Sequence, residues 1–240
     1  MKAEIRYLYH SGFAVKTDRH FFIFDYYLDT PEGGGLDEGV IDPDDIKDLD
    51  VVVFVSHSHA DHYNPKIFDW RKTINHIRYV ISDDIITEEE ALIVSPGQEY
   101  SLDGISVRTL ESTDMGVAFL IKADGLCIYH AGDLNDWYWN GEPDKDNLEM
   151  TRRYREQIDT LKGEKIDLAF VPVDPRLEEN YLLGLDYFMK TVGAGCAVPM
   201  HFGGDTVIFD ELQTDTRADD YRDKIVCLAQ RGAQFFIPKL

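Results

Sequence analysis

The strongest constraint on this chain is a short apolar run that ends in a cluster of metal-binding side chains. Val51-Val52-Val53-Phe54-Val55 is followed, after Ser56, by His57-Ser58-His59-Ala60-Asp61-His62. The apolar run is short, β-branched and continuous, which predicts a buried strand. Three imidazoles and a carboxylate in six residues meet no packing need. Neutral imidazole and carboxylate are the ligands that a Zn²⁺-like ion takes in hydrolytic sites. His57 and His59 are two apart, so in extended chain they face the same way. Asp61 and His62 fall in the turn beyond, within reach of a second ion. Asn64-Pro65 then reads as a helix start, with Asn as N-cap and Pro at the first helical position. The cluster therefore occupies a strand-to-helix loop at a sheet edge.

This His-x-His-x-Asp-His run resembles the signature of the metallo-β-lactamase superfamily. Three further segments resemble the same family: Tyr129-His130-Ala131-Gly132-Asp133, Pro199-Met200-His201-Phe202, and the early Tyr9-His10-Ser11-Gly12-Phe13. The resemblance implies an α/β chain folded as a four-layer αββα sandwich, with residues 1–240 forming one domain. It implies His57, His59, Asp61, His62, Asp133 and His201 as metal ligands, with Asp133 bridging two ions. Like His57, Asp133 and His201 follow apolar strands, and rigid strand ends hold ligands at fixed positions.

One departure stands out. The family carries a further histidine shortly before the strand that begins here near Val117. The corresponding segment is Glu111-Ser112-Thr113-Asp114, with Ser112 at the aligned position and Asp114 as the nearby replacement candidate. Three outcomes are open: Asp114 ligates the first ion, the first site is held by His57, His59 and Asp133 alone, or a single ion is bound by Asp61, His62, Asp133 and His201. A carboxylate in place of imidazole hardens the site and shifts preference from Zn²⁺ toward Mn²⁺ or Fe²⁺. His130 reads either as a support for a ligand or as a packed core residue, and His10 as a candidate for the cleft wall. Asn135, Trp137, Trp139 and Glu142 follow Asp133 and read either as a substrate pocket or as a Trp-anchored loop.

The net charge of −21 repels phosphate backbones and anionic bilayers, so neither nucleic acid nor membrane is an expected partner. No apolar run is long enough to span a membrane and no secretory leader is evident. Cys127, Cys196 and Cys227 are few, odd in number and set among apolar residues, which suits buried thiols in a reducing cytoplasm.

Strands are expected over 5–9, 12–15, 21–24, 51–55, 77–81, 105–110, 117–122, 126–129, 167–171, 196–200 and 233–237. Helices are expected from Pro43 to Leu49, from Asp146 to Leu161, from Leu183 to Val192 and from Thr216 to Arg231. In the second of these, Glu149/Arg153 and Arg152/Glu156 are spaced to support a solvent face. Gly33-Gly34-Gly35 lacks the Lys and Ser/Thr of a phosphate loop and reads as a turn.

The expected chemistry is hydrolysis of a small-molecule ester, lactone or phosphodiester by a metal-activated hydroxide, with Asp61 both ligand and orienting group. One or two ions, Zn²⁺ foremost, are the expected cofactors. A degenerate metal site used for sensing or scaffolding is the alternative.

Overall fold

The computed structural model describes residues 2–238. Its packing divides into two compact units, one made of the chain through Ser95 together with the segment from Leu228, the other of Pro96–Cys227. Each unit is built on one mixed sheet.

In the first unit the strands are β1 (Lys2–Tyr9), β2 (Gly12–Lys16), β3 (His20–Phe24), β4 (Asp50–Val55), β5 (His76–Ser82), β6 (Leu92–Val94) and the late strand β13 (Gln234–Pro238). The sheet order is β13-β1-β2-β3-β4-β5-β6. Pairing is antiparallel from β13 to β3 and parallel from β3 to β6. Every residue of Val51–Val55 is fully buried, as a central parallel strand covered on both faces requires. Val51, Val53 and Val55 join Phe21, Ile23, Ile67, Trp70 and Tyr79 in one apolar core. Two antiparallel steps separate β1 from β3, so β1, β3, β4 and β5 all run the same way. The residues that leave β1, β3 and β4 therefore emerge at one edge of this sheet: His10, Asp25 and the segment from Ser56 to His62.

The second unit contains β7 (Glu99–Leu102), β8 (Ile105–Glu111), β9 (Val117–Ala123), β10 (Leu126–His130), β11 (Ile166–Pro172) and β12 (Ala194–Met200), in the order β12-β11-β10-β9-β8-β7. Pairs from β7 to β10 are antiparallel, and β10, β11 and β12 are parallel. The β9–β10 hairpin turns on Asp124-Gly125, both at positive φ, as a two-residue hairpin of this kind demands. The helices are α1 (Asp144–Asp159), α2 (Leu183–Thr191) and α3 (Val207–Thr214). Parallel β10, β11 and β12 deliver Asp133, Asp174 and His201 to one edge, the carboxyl-end position where open α/β sheets place their sites.

Several expectations on secondary structure needed correction. Residues 43–48 form turns, not a helix: the Asp42 carboxylate accepts the Asp44 N–H (2.9 Å) as a cap would, but the backbone bonds that follow close at three residues, Asp45 N–H to the Asp42 carbonyl (3.2 Å) and Leu49 N–H to the Ile46 carbonyl (3.0 Å). The helix expected over 216–231 is absent. Helix α3 lies before it, and 216–224 holds only two short 3₁₀ turns. The Asp215 side chain accepts the Arg217 N–H at 2.9 Å and restarts the chain there, while Ile225 bridges to Ala197 of β12. On α1, Arg152 pairs with both Glu149 and Glu156, and Arg153 turns toward the Ser112 carbonyl instead (3.4 Å). Strands β6 and β7 were not foreseen.

Candidate metal centre

In the first unit the apolar strand β4 stops at Val55, and the next seven residues form a tight loop. The His62 and Tyr63 N–H groups both bond to the His59 carbonyl (3.0 and 3.1 Å), and Ser58 N–H is held by the Asp84 carboxylate at 2.8 Å. Asn64 caps the 3₁₀ helix Pro65–Lys72 by accepting the Lys66 N–H, so the expected helix start is present in tighter form. The loop gathers its imidazoles: ring centroids of His57 and His59 are 4.6 Å apart and those of His57 and His62 4.1 Å. His57 and His62 are fully buried, while His59 and Asp61 are partly exposed. The ligand atoms of His10, Asp61 and His62 lie within 4.8 Å of one another. The His10 imidazole holds the Asp61 carboxyl well below the ordinary carboxylate range, against its partial burial.

Asp25, at the end of β3, organises this loop. Its carboxylate accepts the Ser56 N–H (2.8 Å) and the Ser56 hydroxyl (2.6 Å), and lies 2.7 Å from His62 Nδ1. Ser56 Oγ in turn lies 2.9 Å from His57 Nδ1. A buried carboxylate only accepts, so His62 Nδ1 carries the proton. The Ser56 hydroxyl hydrogen is committed to Asp25, so His57 Nδ1 donates to Ser56 Oγ. One carboxylate thus sets the tautomer of two imidazoles and leaves Nε2 of each as the lone-pair nitrogen. This is the outer partner that metal-ligating histidines take.

The second unit repeats the device. His201 Nδ1 lies 2.9 Å from Asp174 Oδ2, and His201 Nε2 lies 3.3 Å from Asp133 Oδ1. Burial raises the Asp174 carboxyl, but His201, the Arg176 guanidinium and the Arg176 N–H outweigh it and hold it down at about 2. Asp133 is positioned by its surroundings. The Trp137 indole N–H donates to its carbonyl (2.9 Å), and the Trp137 ring packs edge-on against His201. His130 is a buried support, its Nδ1 accepting the Gly132 N–H at 3.2 Å in the turn that leads to Asp133. Thr113 clamps the following loop, its hydroxyl donating to the Asn135 carbonyl (2.6 Å) and accepting the Asn135 N–H (3.0 Å). Ser112 is buried and accepts the Asp114 N–H at 3.2 Å, while Asp114 itself is exposed. Asn135 and Trp137 are buried, and Trp137 stacks on Trp139.

Backbone strain marks the same places. His10, Asp25 and His201 all have positive φ (55°, 42° and 65°), a region that non-glycine residues enter at a cost.

The donors fit a divalent ion. Two ligand atoms each about 2.05 Å from a tetrahedral Zn²⁺ lie about 3.3 Å apart. That is the observed separation of His201 Nε2 and Asp133 Oδ1. Asp25, Ser56 and Asp174 were not anticipated from the sequence, and His10 was anticipated only as a wall residue.

Two mixed sheets, each presenting oriented imidazoles and carboxylates at the carboxyl ends of its parallel strands, define a class, and comparison with known families agrees. Residues 4–138 match the model described as beta-lactamase superfamily domain, and the chain belongs to that family. It is 27% identical to a metal-dependent hydrolase of Pyrococcus abyssi over 146 residues, 54% of this chain and 61% of the relative, less than two thirds of that protein's length. Among solved structures it is similar to a metallo hydrolase from the hyperthermophilic archaeon Ignicoccus hospitalis (TM-score 0.69, 16% identity, 100% of both chains). It is also similar to CmlA, a diiron beta-hydroxylase from Streptomyces venezuelae (TM-score 0.65, 12% identity, 98% of this chain and 54% of that one). The metallo-beta-lactamase fold protein YhfI from Bacillus subtilis is a third (TM-score 0.62, 14% identity, 98% and 99%). These likenesses show the fold. Among the described residues, no helix is long and apolar enough to cross a membrane.

Proposed function

We propose that this chain is a metal-dependent hydrolase acting on a small-molecule ester, lactone or phosphodiester. In this reading His57, His59, Asp61 and His62 of the first unit and Asp133 and His201 of the second act as metal ligands, and residues 1–240 work as one domain. The observation that carries it is the fixing of Nδ1 on His57, His62 and His201 by Ser56, Asp25 and Asp174, which presents three Nε2 lone pairs. Zn²⁺ is the first candidate by donor set, and Mn²⁺ and Fe²⁺ follow.

A divalent ion bound by such ligands supplies Lewis acidity and brings the pKa of water toward neutrality. The protein's own part is orientation. The Asp61 carboxylate stays ionised beside His10 and accepts a hydrogen bond from the attacking water, fixing its direction. Asp25 and Asp174 keep their imidazoles in one tautomer and absorb positive charge that develops on them. The net charge of −21 favours small substrates over nucleic acid, and the sparse unpaired cysteines suit a cytoplasmic setting.

The test is turnover of bis-p-nitrophenyl phosphate and p-nitrophenyl esters by protein loaded in turn with Zn²⁺, Mn²⁺ and Fe²⁺. Hydrolysis abolished by chelator, and by Asp61→Asn in a variant that still folds, is expected. Metal uptake with no turnover of any ester or phosphodiester would instead favour the sensing or scaffolding role. That role draws support from the absence of an imidazole in Glu111–Asp114.

A further inference from the structure

The β1–β2 connection is two residues long, His10-Ser11, with Tyr9 paired to Gly12. Turns of this length favour Asn, Asp or Gly wherever φ is positive. Here the first turn position is histidine at φ 55°. Positive φ is uncommon for non-glycine residues, although His, Asn and Asp enter it more readily than the rest, and such positions concentrate at sites where the side chain has work to do. The strained turn is over-determined by its neighbours. The His10 N–H is bonded to the buried Tyr7 hydroxyl at 2.8 Å, and a register shift between Tyr7 and Tyr9 turns the end of β1. The ring sits edge-on to both Tyr27 (6.3 Å) and His62 (5.7 Å), so its orientation is fixed by packing.

That orientation aims Nε2 at Asp61. The His10 Nε2 to Asp61 Oδ2 distance is 3.4 Å. A charge-assisted N–H···O bond runs to about 2.7–2.9 Å, so this spacing is long for one. It matches the roughly 3.3 Å between two donors on one tetrahedral ion, as with His201 and Asp133. Asp61 already serves as a ligand in the proposed function, and the ligand atoms of His10, Asp61 and His62 lie within 4.8 Å of one another.

We infer that His10 is itself a metal ligand, completing with Asp61 and His62 a cation site that the His-x-His-x-Asp-His run alone leaves short of one imidazole. This rests on the metal-dependent reading above. The chain lacks the imidazole at Ser112 and carries one at His10, so the imidazole content of its metal centre shifts toward the Asp61–His62 ion.

The experiment uses the full chain loaded with Co²⁺, followed by its visible absorption and by the hyperfine-shifted imidazole N–H resonances. His10→Asn keeps the turn, because Asn tolerates positive φ. His10→Gly removes the side chain in the same backbone conformation. The inference expects one fewer shifted imidazole N–H in His10→Asn, an affinity for one ion at least about tenfold weaker, and restoration of the spectrum of His10→Gly by added imidazole. A variant with wild-type spectrum and affinity overturns the inference and leaves the hydrolase reading standing. Weaker binding with an unchanged count of shifted N–H resonances also overturns it, since His10 would then act only by holding Asp61. Wild-type protein that takes up no Co²⁺ defeats the hydrolase reading and this inference with it.

Discussion

Replacing Asp25 by Asn tests the tautomer argument with a nearly isosteric change. In the native chain the carboxylate accepts three hydrogen bonds, from Ser56 N–H, Ser56 Oγ–H and His62 Nδ1–H. An amide offers one acceptor oxygen and one donor nitrogen. If the oxygen stays with Ser56, the NH₂ faces His62 Nδ1, which must then accept. The proton moves to Nε2, and His62 loses the lone pair it needs to bind a metal. Loss of an outer partner typically weakens metal binding about 10–100-fold, or about 1.4–2.7 kcal/mol. Asp25 governs His57 through Ser56 as well, so the upper end of that range is expected. The fold itself gives up a smaller amount, about 1–3 kcal/mol, for one imperfectly met acceptor in a buried place. Competition against a chromophoric chelator measures the affinity, and a denaturant titration in excess chelator isolates the folding cost. Imidazole ¹⁵N shifts report the tautomer directly. An Asp25→Asn protein that folds, keeps His62 protonated on Nδ1 and binds metal like the wild type would refute the reasoning.

Other consequences are open to simple measurement. Asp174→Asn should weaken metal binding through His201 alone, and so by less than Asp25→Asn, as read by the same chelator competition. Gly184→Ala places a Cβ 1.9 Å from Asn135 Oδ1, so the buried Asn135 side chain must move; a loss of about 1–3 kcal/mol in a urea titration is expected. Gly232→Ala should cost more, because the position combines φ 77° with a Cβ 1.9 Å from the Asp37 carbonyl, and its melting temperature should fall below that of Gly184→Ala. Burial pushes the Cys127 and Cys227 thiols up to about 11 and Cys196 to about 12. Raised thiol pKa means less thiolate, so the folded protein should resist iodoacetamide at about pH 8 and take three labels only once unfolded, as mass spectrometry will show.

The signature loop was legible because its meaning is local: a β-branched run followed at once by closely spaced ligands needs no tertiary information. The strands through Val51–Val55 and Asp167–Val171 were legible for the same reason. Asp25 and Asp174 were hidden because each is a single carboxylate outside any motif. Their one signal was position, since each directly follows an apolar strand run, as Asp133 and His201 do. The segment Glu111–Asp114 reads as the place for a substitute ligand, whereas its Thr113 clamps the loop after Asp133, a role set by a partner 22 residues away. The pattern Tyr221, Ile225, Leu228 and Ala229 reads as one helix face. The first three residues are buried and Ala229 is exposed. What the spacing did not convey is that the turns capped by Asp215 stay 3₁₀ and that Ile225 is extended and finds a strand neighbour in Ala197. Apolar periodicity reported burial for three of the four positions and the backbone conformation incorrectly.

The account depends most on the oriented imidazoles holding a metal ion, and native mass spectrometry of protein purified without added metal measures this directly. The prediction is one or two transition-metal ions per chain, removed by strong chelator and restored by Zn²⁺, with occupancy lost in His57→Ala and His62→Ala. A folded, pure protein that carries no metal and takes up neither Zn²⁺, Mn²⁺ nor Fe²⁺ when these are supplied would contradict it.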